Sequence, residues 1–161
     1  ELTLVRLPAP PLAVEAISKR PIEVVSVPPV GGKCHLDRDY RFNSLGGFAD
    51  NPSMRYVLTS NSDKTTSSKR VMWRLSLGVP ATVYLNFRSE AHVNRTGADA
   101  WLESGGWERA SMRSTVSTGV PNGPYKGPVY MRTVDPGDVD LMGSNCAEGT
   151  YFVFVQLQQG P

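Results

Sequence analysis

The sequence contains no apolar run near the roughly 18 residues that a membrane helix requires, so helical membrane insertion is not expected. Cysteine and histidine are scarce, with two of each, namely Cys34, Cys146, His35 and His92. They form no CxxC pair and no Cys/His cluster with zinc spacing. A Gly-x-Gly-x-x-Gly loop, a phosphate loop and a Gly-x-Ser-x-Gly elbow are also missing, which removes the common nucleotide-binding and serine-hydrolase signatures. No sign of charge dominates: 17 basic and 15 acidic residues leave a formal net charge of +2. The basic residues are scattered, and the densest spot, Ser67-Ser68-Lys69-Arg70, reads as a solvated strand entrance rather than a phosphate site. A nucleic-acid partner, which would call for a concentrated basic stripe, is not expected. Sustained helical periodicity is absent over any window of about eleven residues, and 15 glycines and 13 prolines would interrupt most helices.

What remains is strand pattern and turn chemistry. The first 33 residues stand apart, because Pro8, Pro10, Pro11, Pro21, Pro28 and Pro29 punctuate short apolar pieces such as Leu2 to Leu7 and Ile22 to Val27. Proline removes the backbone donor and sets an extended φ, so residues 1–33 are read as an extended arm or edge strands that need a sheet to dock on. Residues 34–161 show about eight short strand-like runs alternating with turn signals. Val71, Trp73, Leu75 and Leu77 alternate with Met72, Arg74 and Ser76, and Ala81, Val83, Leu85 and Phe87 alternate with Thr82, Tyr84, Asn86 and Arg88. That period of two predicts half-buried strands, and Gly78-Val79-Pro80 between them predicts an antiparallel hairpin. Asp135-Pro136-Gly137-Asp138 predicts a turn between two further strands. The expectation is one all-β domain, an antiparallel two-sheet β-sandwich of jelly-roll or Ig-like kind, with a Pro-rich N-terminal arm.

Cys34 and Cys146 read as one disulfide, which would close a loop of about 110 residues and contribute roughly 4 to 5 kcal/mol; two buried free thiols are the alternative. Asn94-Arg95-Thr96 is an N-glycosylation sequon in a polar stretch read as a loop. A start at Glu1, with no Met and no signal-like segment, is what a processed secreted chain would show. Together these cues point to an extracellular or cell-surface location.

Several phrases occur in order along the chain: Asp37-Arg38-Asp39-Tyr40, then Thr59-Ser60-Asn61-Ser62-Asp63-Lys64, then Pro80-Ala81-Thr82-Val83-Tyr84-Leu85 with Arg88, then Trp101-Leu102 and Gly106-Trp107, then Val139 to Asn145 and Tyr151 to Val155. In this order they resemble a secreted β-sandwich module appended to carbohydrate-active enzymes and cell-surface proteins. The segment Ser89 to Ala100 looks expanded relative to that pattern. The resemblance implies an accessory role with polysaccharides or glycoprotein glycans as partners.

Candidate site residues follow from side-chain type. A sugar offers an apolar CH face and a ring of hydroxyls, so aromatic rings with polar neighbours suit it. Trp101, Trp107 and Tyr125 are candidates, with core packing as the competing role. Asp63, Lys64 and Arg88 form either the polar side of that pocket or a salt-bridged clamp between loops, and the clamp is preferred. Trp73 is read as core. His35, Asp37 and Asp39 alternate on one face, yet they are read as an entry strand with partners for Arg38; Asp135, Asp138 and Asp140 are read as a turn. No metal site, cofactor or catalytic residue is assigned. The leading expectation is a non-catalytic carbohydrate-associated binding module. The alternative is a structural subunit of a filament or coat that self-associates through residues 1–33.

Overall fold

A computed structural model describes residues 10–112, 114–118, 125–147 and 149–158. The Leu2 to Leu7 piece and Pro8 of the arm lie outside the described residues. The strands are β1 (Leu12–Ala16), β2 (Glu23–Ser26), β3 (Lys33–His35), β4 (Arg38–Ser44), β5 (Met54–Leu58), β6 (Val71–Leu77), β7 (Ala81–Asn86), β8 (Glu108–Ala110), β9 (Thr115–Thr118), β10 (Val129–Val134), β11 (Gly137–Met142) and β12 (Phe152–Leu157). Two short helices, α1 (Glu90–Thr96) and α2 (Ala98–Ser104), separate β7 from β8.

These strands form three antiparallel sheets in the orders β1-β6-β11, β2-β5-β12-β7-β10-β8 and β3-β4-β9. The all-β sandwich is as expected, and a third layer is added to it. Alternation explains why. In β12, Val153 and Val155 enter a core shared with Trp73, Leu75 and Leu141 of the first sheet, while Phe152 and Phe154 enter a second core with Phe42 and Cys34 of the third. Strand β7 divides in the same way, with Ala81, Val83 and Leu85 in the first core and Tyr84 in the second. A central strand covered on both faces must be apolar on both faces, and Phe-Val-Phe-Val is such a strand. The second core is aromatic: Phe48 stacks on Phe154 at 3.9 Å, and Phe42 meets Tyr56 edge to face at 5.4 Å.

The expected hairpin between Val71–Leu77 and Ala81–Asn86 does not form. Strand β6 lies in the first sheet between β1 and β11, whereas β7 lies in the central sheet between β12 and β10. Gly78 turns the chain from one layer to the next; its N–H donates to the Pro11 carbonyl at 3.0 Å, and a Cβ there would stand 3.3 Å from the Pro10 carbonyl oxygen. The Asp135–Pro136 turn makes the same crossing between β10 and β11. The described part of the N-terminal region pairs within its own chain: Leu12 to Ala16 run against Leu77 to Trp73, and Glu23 to Ser26 against Leu58 to Arg55.

The Ser89 to Ala100 segment is helical rather than a loop. The Ser89 hydroxyl caps α1 by accepting the His92 N–H at 3.0 Å, and Gly97 ends it at φ 72°. Buried His92, Val93, Thr96, Ala98 and Leu102 form the inward face of the pair.

Candidate functional site

The polar phrases of the sequence gather around one 3-10 turn, Asn61–Thr65, between β5 and β6. Its own N-cap residue, Ser60, supplies no side-chain bond. Asp37 does so instead from the tip of the β3–β4 hairpin, accepting the N–H groups of Asn61 at 2.7 Å and Ser62 at 3.0 Å. Partial burial works to raise the Asp37 carboxyl, but these hydrogen bonds and nearby Arg38 win and hold it below its ordinary value. Asp63 is fully buried and accepts from the Ser18 hydroxyl at 2.6 Å, Arg20 at 2.9 Å and the Trp73 indole N–H at 2.9 Å. It therefore fastens the link between β1 and β2 to the first core.

Asn61 points to a second buried ion. Its side-chain oxygen accepts from the Thr150 N–H at 3.0 Å and from the Arg88 guanidinium at 3.3 Å. The guanidinium also donates to the Thr150 carbonyl at 3.4 Å and lies over the rings of Tyr125 at 4.6 Å and Tyr40 at 5.7 Å. No carboxylate among the described residues pairs with it. Two buried histidines flank it. His35 Nδ1 shares a hydrogen bond with the Thr59 hydroxyl, while His92 Nδ1 accepts the Arg88 N–H and its Nε2 donates to the Gly149 carbonyl. Burial lowers both from 6.5, His35 to about 3 and His92 to about 4, with the Arg88 charge acting in the same direction.

The five residues selected as ligand contacts fall into three places. Arg88 and Tyr125 are together and buried; Asp63 is buried on the Trp73 side of the turn; Trp101 and Trp107 meet edge to face at 6.2 Å beside α2. Trp107 is only 8% exposed, with the Arg132 guanidinium 5.9 Å from its ring centre, and Trp101 also packs on Tyr151 at 5.8 Å. His35, Asp37 and Asp39 do not share one strand face, because the chain reverses at Leu36–Asp37. Among the described residues no group of three or more His, Cys, Asp or Glu is placed to hold a metal ion.

The expected disulfide is absent, and both cysteines are free. Cys34 is buried on β3 in the aromatic core, its carbonyl accepting the Tyr56 hydroxyl at 2.5 Å, and burial pushes its thiol far above the ordinary range. Cys146 is exposed after β11 at φ 59°, with its thiol toward the Thr65 carbonyl at 3.8 Å. Sequence separation carries no distance: Cys34 is buried on a strand of the third sheet, and Cys146 is on an exposed loop against the 3-10 turn. The cue that this bond gave for an oxidising compartment falls with it. Asn94 is exposed, but it lies on α1 rather than in a loop, and the Thr96 hydroxyl of its sequon is buried and donates to the Val93 carbonyl at 2.8 Å.

Open concave surface occurs elsewhere. A groove of about 780 Å³ runs between Ile17–Ser18 and the Thr65–Arg74 segment, and a smaller cleft of about 320 Å³ lies beside Gly105, Gly106 and Arg132. The groove's trace in the sequence is the Ser67–Arg70 spot, whose polar-basic composition reads as a solvated strand entrance.

No protein-family model and no curated protein matches the chain. In fold it is similar to a β-glucuronidase from glycoside hydrolase family 2. The TM-score is 0.64 at 16% identity, with 96% of this chain covered. The chain spans only 15% of the length of that enzyme. The likeness shows the sandwich fold.

Proposed function

We propose that this chain is a non-catalytic, carbohydrate-associated binding module, an accessory unit acting outside the cell or at its surface. The observation that carries the reading is its shape: a solved glycoside hydrolase contains the same sandwich as a small part of its length. The engagement of five acidic side chains is in keeping with a non-catalytic role. A glycosidase needs two carboxyl groups facing one cleft, one of them held protonated. Here Asp63 is buried as an acceptor, Asp37 caps a turn, and Asp39, Asp140 and Glu90 are paired with Arg41, Arg74 and Arg109 at 2.7 to 2.8 Å.

Affinity electrophoresis through gels containing neutral and acidic polysaccharides tests the reading. Retardation by at least one of them is expected, with no hydrolysis of it. No retardation by any, with the fold shown intact, contradicts the reading, as does glycoside hydrolysis by the purified chain.

A further inference from the structure

The groove between the end of β1 and the start of β6 has a composition that suits one class of carbohydrate. Its apolar part is Ile17, 44% exposed, with half-buried Val71. Its polar part is a row of hydroxyls, Ser18, Thr65, Thr66 and Ser67. Two arginines line it, and they differ. Arg74 is engaged by Asp140 at 2.7 Å and Glu15 at 3.7 Å, whereas exposed Arg70 pairs with no carboxylate among the described residues. Exposed Lys69 precedes it in the chain, outside the lining, and is likewise without a carboxylate partner among the described residues.

The walls are held before any ligand arrives. Asp63 fixes the Ser18 hydroxyl at 2.6 Å. The loop after β11 grips the opposite wall with three backbone bonds: Gly143 N to Arg70 O, Asn145 N to Thr66 O and Cys146 N to Lys64 O. The Asn145 side chain adds bonds to the Ser68 N–H and hydroxyl at 2.6 and 2.8 Å. Gly143 leaves no space between these segments, since a Cβ there would stand 2.2 Å from the Thr66 carbonyl oxygen. A fixed wall lowers the ordering cost of binding.

We infer that this groove takes an anionic sugar unit of an acidic polysaccharide, a uronate or a sulfated sugar, with its charged group on Arg70 and its CH face on Ile17 and Val71. A guanidinium matches the two oxygens of a carboxylate or sulfate as a fork. Ser18 and Thr65 already donate to Asp63 and the Ser62 carbonyl, so they offer the sugar's hydroxyls acceptor lone pairs, while Thr66 and Ser67 can also donate. The inference rests on the carbohydrate-binding reading and gives it a site and a ligand class.

The test is affinity electrophoresis and calorimetric titration of the whole chain against polygalacturonate, dextran sulfate and neutral dextran. Binding to polygalacturonate or dextran sulfate is expected, and which one binds tells carboxylate from sulfate. Arg70→Ala and Ile17→Ser should each weaken that binding by about tenfold or more while leaving circular dichroism and Tm unchanged, since both side chains are exposed. If Ile17→Ser binds like the parent chain, the attraction is diffuse charge alone and the site is refuted. Retention on dextran only also overturns the inference and leaves the binding-module reading standing. Retention on none, with the fold intact, overturns both.

Discussion

Asp63 and Arg88 are both fully buried ions attached to the same 3-10 turn, yet their surroundings are opposite in kind. Asp63 has three close donors, one of them the Arg20 guanidinium, whose side chain is 42% exposed. Arg88 has two long hydrogen bonds, two aromatic rings and no carboxylate among the described residues. Three buried polar atoms near it, Asn61 Nδ2, Thr150 Oγ1 and His35 Nε2, have no partner among the described residues, whereas the donors around Asp63 are used. A buried ion stabilises only to the extent that hydrogen bonds replace its lost hydration. Asp63 is a fastening point, and Arg88 is held in place chiefly by shape.

The largest break in this comparison should come from Gly149→Ala. The new Cβ would lie 1.9 Å from an Arg88 guanidinium nitrogen, 2.4 Å from its Cζ and 2.7 Å from Asn61 Oδ1, in a site where neither partner can swing to solvent. Loss of about 3 kcal/mol or more in urea unfolding is expected; a parent-like midpoint would mean that the Arg88 side is loosely packed.

Acid gives the next effect. Both histidines lie on the Arg88 side, and their folded values of about 3 and about 4 fall below the unfolded value of 6.5. The unfolded chain therefore binds more protons between those values. Stability is complete above pH 6.5 and declines as pH falls toward 4, with a slope approaching about 1.4 kcal/mol per pH unit for each histidine. NMR of the imidazole protons checks this, and a folded-state midpoint near 6.5 for either ring would contradict it.

The smallest effect concerns the thiols, Cys34 on the Arg88 side and Cys146 at the far end of the turn. Cys146 lies against Thr65 and should react with a thiol reagent in the folded chain, while Cys34 should react only after denaturation. Labelling of both in the native state, or of neither, would contradict a buried Cys34 and an exposed Cys146.

The strands were legible because inward apolar residues recur at every second position, as Trp73 and Val83 do, and both are fully buried. Alternation does not say which strand lies alongside, so it predicts a β6–β7 hairpin although the two strands belong to different layers. Phe152 to Val155 carried a readable sign of the third layer, being apolar on both faces. The helices were hidden because seven residues each is too short for a periodic signal, and their marks were only the Ser89 cap and the Gly97 stop. Of the ordered phrases, Asp37, Tyr40 and Arg88 come together around the turn that carries Asn61 and Asp63, whereas Trp101 and Trp107 lie apart beside α2. What that turn does locally is brace the fold, and side-chain types alone do not separate a brace from a pocket. The groove was illegible because its walls, residues 17–18 and 65–74, meet only after β1 pairs with β6.

Urea unfolding of Asp63→Ala and Arg88→Met, measured side by side, tests the contrast most directly. The first leaves the Trp73 indole N–H unpaired and frees Ser18 and Arg20, and should lose about 3 kcal/mol. The second removes a buried charge, keeps an apolar chain against Tyr40 and Tyr125, and leaves Asn61 bonded to Thr150, so it should stay within about 1 kcal/mol of the parent. Equal losses, or a larger loss for Arg88→Met, would contradict the division of the turn into a fastened side and a side held by shape.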